Sequence, residues 1–263
     1  LIPLEERKKV KYVSFDMWET YRIVTKHVFP EACCIADHYH IIQELNRRVD
    51  RVRIHVQNRF RKTINTLKPK KNNKTITPEE LIEFEEASRY YYVFKKFNLL
   101  LASTNKKILD VNVERRFNHR LNRYLNYSEI LAYMLAIDDE LEEAFYLRND
   151  VTYFYDHCTY NTAKKQLEKI IIDFRSSTVA EMSPFANTLT NWKKEIINSF
   201  IIVDDKANRK MNTAIVENRN KSIKLLKHAS NGYLNWERFR NRILYTLNED
   251  TTFYYTSIRK DGK

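Results

Sequence analysis

Residues 11–40, KYVSFDMWETYRIVTKHVFPEACCIADHYH, decide how the chain is read. They hold two short apolar runs, Tyr12 to Phe15 and Cys33 to Ala36, each followed by an aspartate, Asp16 and Asp37. Between them a helical stretch puts Tyr21, Val24, Thr25 and Val28 on one face and stops before Phe29-Pro30, because the residue before a proline is pushed out of the α region. Strand, crossover helix and strand make a βαβ unit with a parallel pair. A carboxylate at the carboxyl end of a buried strand is where open α/β sheets place their chemistry. Asp16 also reads as the N-cap of the crossover helix, with Glu19 three residues on at capping-box spacing.

Working outward, Asp37-His38-Tyr39-His40 opens a long helix running to about Leu67, with Leu45, Val49, Val52, Val56, Phe60 and Ile64 as its apolar stripe at spacings of three and four. From Arg47 to Lys74 there are eleven Lys/Arg and one acid, Asp50, a bias that favours a phosphate-facing surface including Arg47, Arg48, Arg51 and Arg53. Residues 68–78 read as a linker and Pro78-Glu79-Glu80 as a helix start. Further stripes follow: Leu81, Phe84, Tyr91, Phe94 and Leu101; Ile130, Met134, Ile137, Leu141 and Phe145 on a helix beginning near Ser128; Leu167 to Phe174; and Trp192, Ile196, Phe200. The middle is helical and offers no strand pattern. The aromatic groups 90–92 and 153–155 read as packing, and the acidic run 138–143 as a solvated face. Asn212 is placed to cap a helix ending at Asn231-Gly232, carrying Glu217 and a basic side of Lys221, Lys224 and Lys227. A last helix, 235–247, turns Phe239, Ile243 and Leu247 inward and Arg238, Arg240 and Arg242 outward.

Composition agrees with a helical protein that meets a polyanion. Gly is 2 and Pro 5 among 263 residues, so tight turns are few, and the net charge of +12 makes nucleic acid the first partner to consider. Three cysteines, two of them adjacent, do not make a disulfide framework and fit a reducing cytosol. No apolar run approaches the roughly 20 residues that cross a bilayer. His38, His40 and Cys33 lack partners at zinc-ligand spacing, and no Gly-rich phosphate loop or marked nucleophile triad exists. Two-metal phosphoryl transfer needs carboxylates from separate elements converging on ions about 3.5–4 Å apart, a role open to Asp16 and Glu217. Each has a plainer reading: Asp16 as a cap, worth about 1 kcal/mol, and Glu217 in an i,i+4 pair with Lys221, worth about 0.3 kcal/mol.

At these residues a resemblance enters. FDMWETY, FPEACCIADHYHIIQELNRRVDRVR and MNTAIVENRNKSIKLLKHASNGYLNWERFRNRILYTLN resemble the DDE transposases of bacterial insertion sequences, the ISL3 group in particular. The resemblance covers about 70 residues at the two ends of the chain. It implies a ribonuclease H-like core at 1–67 and 206–248, a helical insertion at 68–205 and a tail at 249–263. It also implies cytoplasmic Mg²⁺- or Mn²⁺-dependent cleavage and strand transfer on transposon ends and target DNA, with self-association on DNA and no membrane. Position by position, Asp16 matches the second acidic residue of the triad, Glu217 the third, and Asp37 with His40 the Asp-x-x-His signature, supporting rather than ligating. Asn218 stands where related branches often have Gly, and nothing before Lys11 reads as the strand that bears the first aspartate. The expectation is therefore an α/β, mostly helical fold whose ribonuclease H-like core lacks its first strands. The chain would be a partial or truncated transposase, unable to cleave DNA alone. The alternatives are an inactive DNA-binding remnant and a helical scaffold.

Overall fold

The computed structural model describes residues 3–204, 209–210, 214–230 and 232–247. Two compact units divide the chain, Leu1–Met211 and Asn212–Lys263. The first begins with a short helix α1 (Leu4–Lys8), then β1 (Tyr12–Phe15), α2 (Glu19–Val28), β2 (Cys33–Ala36) and α3 (His38–Asn72). β1 and β2 pair in parallel with Tyr12 opposite Cys33 and Phe15 opposite Ala36, as the two apolar runs require. The helix between them starts two residues later than its capping-box spacing suggests. Trp18 occupies the N-cap and no side chain caps there, so Asp16 is not a cap.

The inward face of α2 is also not the one the spacing predicts. Tyr21 and Val24 are exposed and Thr25 is buried. Arg22 explains the rotation. Its guanidinium lies 4.0 Å from the ring centre of Trp192, donates to the carbonyl of Asn191 and sits 3.7 Å from the buried Glu195 carboxylate. A cation–aromatic contact together with an ion pair at a partly desolvated site outweighs exposing part of Tyr21 and Val24 on a short helix.

α3 is longer than its stripe predicts and runs through Pro69 to Asn72. Its last turns pack on α4 (Pro78–Lys96): Leu67 is buried, Lys70 pairs with Glu80, and the Lys71 ammonium lies 4.4 Å over the ring of Phe84. Packing against α4 outweighs the single ladder hydrogen bond that Pro69 cannot donate. Thr77 and Glu80 form a reciprocal capping box that starts α4. A 3₁₀ turn follows at Asn98–Ala102.

Residues 110–126, unassigned by pattern, hold a short antiparallel hairpin of β3 (Arg116–Asn118) and β4 (Arg123–Leu125). Three-residue strands are too short to display a period of two. The stripe Ile130 to Phe145 is inward, yet it belongs to two helices, α5 (Tyr127–Leu135) and α6 (Asp139–His157). Asp138 makes the break. It is buried, accepts from the backbone N–H of Leu141 at 3.0 Å and pairs with Arg59, so it is a cap rather than part of a solvated face. The next elements are α7 (Tyr160–Ser176), α8 (Phe185–Asn191) and α9 (Lys193–Asn198). A second hairpin joins β5 (Ile202–Asp204) to β6 (Arg209–Lys210). The second unit consists of α10 (Ala214–Ala229) and α11 (Trp236–Leu247). Gly232, at φ +95, closes α10 with its N–H on the Lys227 carbonyl, and Asn235 caps α11 through the N–H of Arg238. Asn212, Asn231 and the tail lie outside the described residues.

One continuous core runs from Phe15 on β1 through Leu45 and Val49 on α3 to Phe94, Phe154, Phe174 and Phe200. The largest fully buried side chain among the described residues is Arg148 on α6, 1 % exposed. Its fork donates to Asn46 Oδ1, Asn149 Oδ1 and the carbonyl of Ala102, each at 2.8 Å, and so ties α3, α6 and the 3₁₀ turn together. Replacing it removes three hydrogen bonds and empties the space of a fully buried side chain. Arg148→Ala is expected to lower unfolding stability by about 3 kcal/mol. Arg148→Lys is expected to recover less than half of that, because an ammonium cannot reproduce the fork. Urea midpoints of the two variants against the parent check both.

Candidate functional site

The parallel pairing delivers the site. Because Phe15 is opposite Ala36, Asp16 and Asp37 emerge next to each other at the carboxyl end of the sheet, and the N–H of Asp37 donates to the carbonyl of Phe15 at 3.1 Å. Asp37 then caps α3, its Oδ1 accepting from the Tyr39 N–H at 3.1 Å, so the capping reading of this residue holds. The first turn of α3 carries His40 back over the strand ends. Its Nε2 lies 2.7 Å from Asp16 Oδ1 and 3.9 Å from Asp37 Oδ2. One ligand atom from each of the three falls within 4.8 Å of the others.

The two carboxylates live in different surroundings. Asp37 is buried at the positive end of the α3 dipole, where a negative charge is favoured. Tyr155 of α6 closes it in: burial, and secondarily the negative charge of Asp37, push the Tyr155 hydroxyl well above its ordinary range. The Tyr155 ring lies parallel to Phe200 at 5.6 Å and 5.4 Å from His38, so aromatic packing fixes the wall behind Asp37. Nothing in the local sequence singles out Tyr155 as a neighbour of Asp37, since the two residues stand far apart in the chain. Asp16 is half exposed, with 51 % of its side-chain surface accessible, and it faces solvent beside His40. A fixed carboxylate, an open carboxylate and an imidazole form a donor set suited to a divalent cation that keeps positions free for water or phosphate oxygens.

Of the other anticipated site residues, Glu217 lies in α10, in the second unit, and its side chain is outside the described residues. The basic stripe on α3 divides into distinct environments. Arg47 is exposed. Arg48 donates to Glu44 and to the carbonyl of Glu181, and Arg51 binds the Glu181 carboxylate at 2.7 Å. Arg53, 7 % exposed, gives its guanidinium to Asp50, Gln57 and the carbonyl of Phe94, so it serves the interior. Lys221, Lys224 and Lys227 on α10 and Arg238, Arg240 and Arg242 on α11 are exposed, as their spacing predicts.

The structure thus defines a mostly helical α/β protein with a carboxylate–imidazole cluster able to hold a cation at the carboxyl end of a parallel strand pair. Among known families, the model described as a transposase, of the ISL3-type DDE group, matches residues 1–243, and the chain belongs to that family. The transposase for insertion sequence element IS1001 of Bordetella parapertussis is 23% identical over 239 residues, which are 90% of this chain and 48% of that protein. The chain therefore spans about half the length of the curated relative it matches. No solved structure matches it. Among the described residues no helix is long and apolar enough to cross a membrane.

The geometry separates the two aspartates by what they hold up. Asp37→Ala removes a buried cap and is expected to cost about 1–2 kcal/mol in unfolding stability. Asp16→Ala caps nothing and is expected to change stability by less than about 0.5 kcal/mol. Equal losses in the two variants, read by chemical unfolding, would make Asp16 a structural residue.

Proposed function

We propose that the chain carries part of the site for metal-dependent DNA cleavage and strand transfer in an insertion-sequence transposase, on a ribonuclease H-like core, with Asp16 and Glu217 as two of its three acidic residues and no cleavage by this chain alone. The observation that carries the reading is the emergence of Asp16 and Asp37 side by side from a parallel pair, with His40 2.7 Å from Asp16. In this reading Asp16 and Glu217 hold Mg²⁺ or Mn²⁺, and the ion, when bound, supplies Lewis acidity at a phosphate and an activated oxygen nucleophile. Asp37 and His40 act on Asp16: Asp37 is fixed by its cap and by burial, and His40 orients the open carboxylate toward the ion. The core is assigned to 1–67 and 206–248 and the helical insertion to 68–205. DNA contacts fall to the exposed cations Lys221, Lys224, Lys227, Arg238, Arg240 and Arg242, with Arg47, Arg48 and Arg51 available by exchanging their present carboxylate partners and Arg53 held in the interior. The protein is expected to self-associate on DNA, engaging transposon ends and target.

Metal and DNA provide separate tests on the purified chain. Mn²⁺ binding followed by electron paramagnetic resonance is expected to weaken about tenfold or more in both Asp16→Asn and Glu217→Gln. Unchanged binding in Glu217→Gln would remove that residue from the site, and absence of Mn²⁺ binding in the parent would sink the metal reading. Duplex DNA affinity is expected to fall linearly in log salt, and the joint replacement of Lys221 and Lys224 by Gln to reduce that slope by about 2.

A further inference from the structure

A cavity of about 700 Å³ opens between the end of α4, the start of α5 and the β3–β4 hairpin. Its floor is apolar, formed by Leu125 and the buried Ile130. Four aromatic rings line its walls: Tyr92, Phe97, Phe117 and Tyr127. Phe117 is 40% and Tyr127 46% exposed, and each is held by a neighbouring ring, Phe117 against Tyr124 at 5.0 Å and Tyr127 against Phe97 at 6.4 Å. Lys96, Arg116 and Arg120 stand around these rings, against one lining carboxylate, Glu114. The cations and rings are already interleaved. The Arg120 guanidinium lies 5.2 Å from the Tyr92 ring centre, and the Lys96 ammonium 5.5 Å from Tyr92 and 5.7 Å from Phe97.

The walls are built rather than collapsed. The Asn126 side-chain amide donates to the carbonyls of Val111 and Val113, which pins the loop before β3 to the start of α5. Arg115 pairs with Glu129 of the same capping box, and Asn118 Oδ1 accepts from the N–H groups of Arg120 and Leu121 at the hairpin turn. The 3₁₀ turn that follows Phe97 is bound through Arg148 to Asn46, nine residues or about 14 Å along α3 from Asp37.

An apolar floor, aromatic walls and an excess of cations match one chemistry: a flat heteroaromatic ring joined to an anion. Bases stack on aromatic side chains with little regard to sequence, while phosphates pair with the surrounding cations. We propose that this cavity takes an unpaired nucleotide at the end of a DNA strand, its base among Phe117, Phe97 and Tyr92 and its phosphate on Arg116 and Arg120. The inference rests on the DNA-binding reading above and adds a site for unpaired bases that a basic surface alone does not provide.

The test uses the full chain and two DNA probes of equal length, a flush duplex and the same duplex with one 2-aminopurine nucleotide overhanging. Stacking of one base is worth about 1–3 kcal/mol, so the overhang is expected to bind about five- to a hundredfold more tightly, with its fluorescence quenched. Phe117→Ala and Arg120→Ala are each expected to abolish that advantage and the quenching while flush-duplex affinity stays within about twofold of the parent. Phe117→Trp, which keeps a ring for stacking, is expected to retain both. Equal affinity of the parent for the two probes overturns the proposal and leaves the DNA-binding reading standing, as does an overhang advantage that survives in both alanine variants. Loss of flush-duplex binding in the parent would instead remove the DNA-binding reading itself.

Discussion

The hydrogen bond from the Asp37 N–H to the Phe15 carbonyl fixes everything that the site depends on. It extends the β1–β2 ladder one step beyond the strands and sets which residues leave the sheet together. Side chains alternate with a period of two, so a slip of one residue in this register would send Asp16 and Asp37 to opposite faces. Two strands alone are marginal in water. Here the helical body supplies what the sheet lacks: the Asn198 amide donates to the Cys34 carbonyl at 2.9 Å, and Trp192 meets Phe15 edge-on at 6.1 Å. The carboxylate–imidazole cluster sits on a minimal sheet whose register is held from the side by α9.

From Asp37 the same constraint passes into α3. The residue that closes the ladder also caps the helix, so the direction of α3 and the position of His40 in its first turn follow from one side chain. A helix of 35 residues extends about 52 Å, and α4 and α6 pack along it. Buried arginines fasten these layers: Arg53 reaches the Phe94 carbonyl on α4, and Arg148 bridges α6 to α3 and the 3₁₀ turn. The Asp16–Asp37–His40 cluster and the 3₁₀ turn beside the aromatic cavity are therefore joined through the interior by polar contacts as well as by apolar packing, and α3 is the element common to both.

What the sequence made legible were features whose cause is local. Two apolar tetrads, each followed by Asp, and a proline after Phe29 sufficed for β1, β2 and the end of α2. The face of α2 was not legible because its determinant, Trp192, lies far along the chain and reverses the inward preference of Tyr21 and Val24. The role of Asp16 shows the same division. By spacing it is a cap; only the position of His40, brought back by α3, gives its carboxylate another partner. The β3–β4 hairpin escaped notice because RFN and RYL carry no alternation to read. Asp138 escaped because a run of acids disguised the one that turns inward to meet Arg59.

Charge was the most over-read property, and the reason is the chemistry of arginine. A planar guanidinium can satisfy several fixed acceptors at once and tolerates burial better than an ammonium does. Arg22, Arg53 and Arg148 are used in this way, on carbonyls, amides and rings of the interior, and Arg48 and Arg51 are bound to Glu44 and Glu181. Glu181 comes from a distant loop, so a window counted along α3 sees the cations without their partner. A net charge of +12 therefore overstates the arginine surface available to phosphate. The lysines of α10, exposed and spaced along one side, carry more of the electrostatic reach than their number suggests. The arginines that remain accessible matter where they sit against rings, as Arg120 does at Tyr92, because there the guanidinium offers a stacking surface as well as charge.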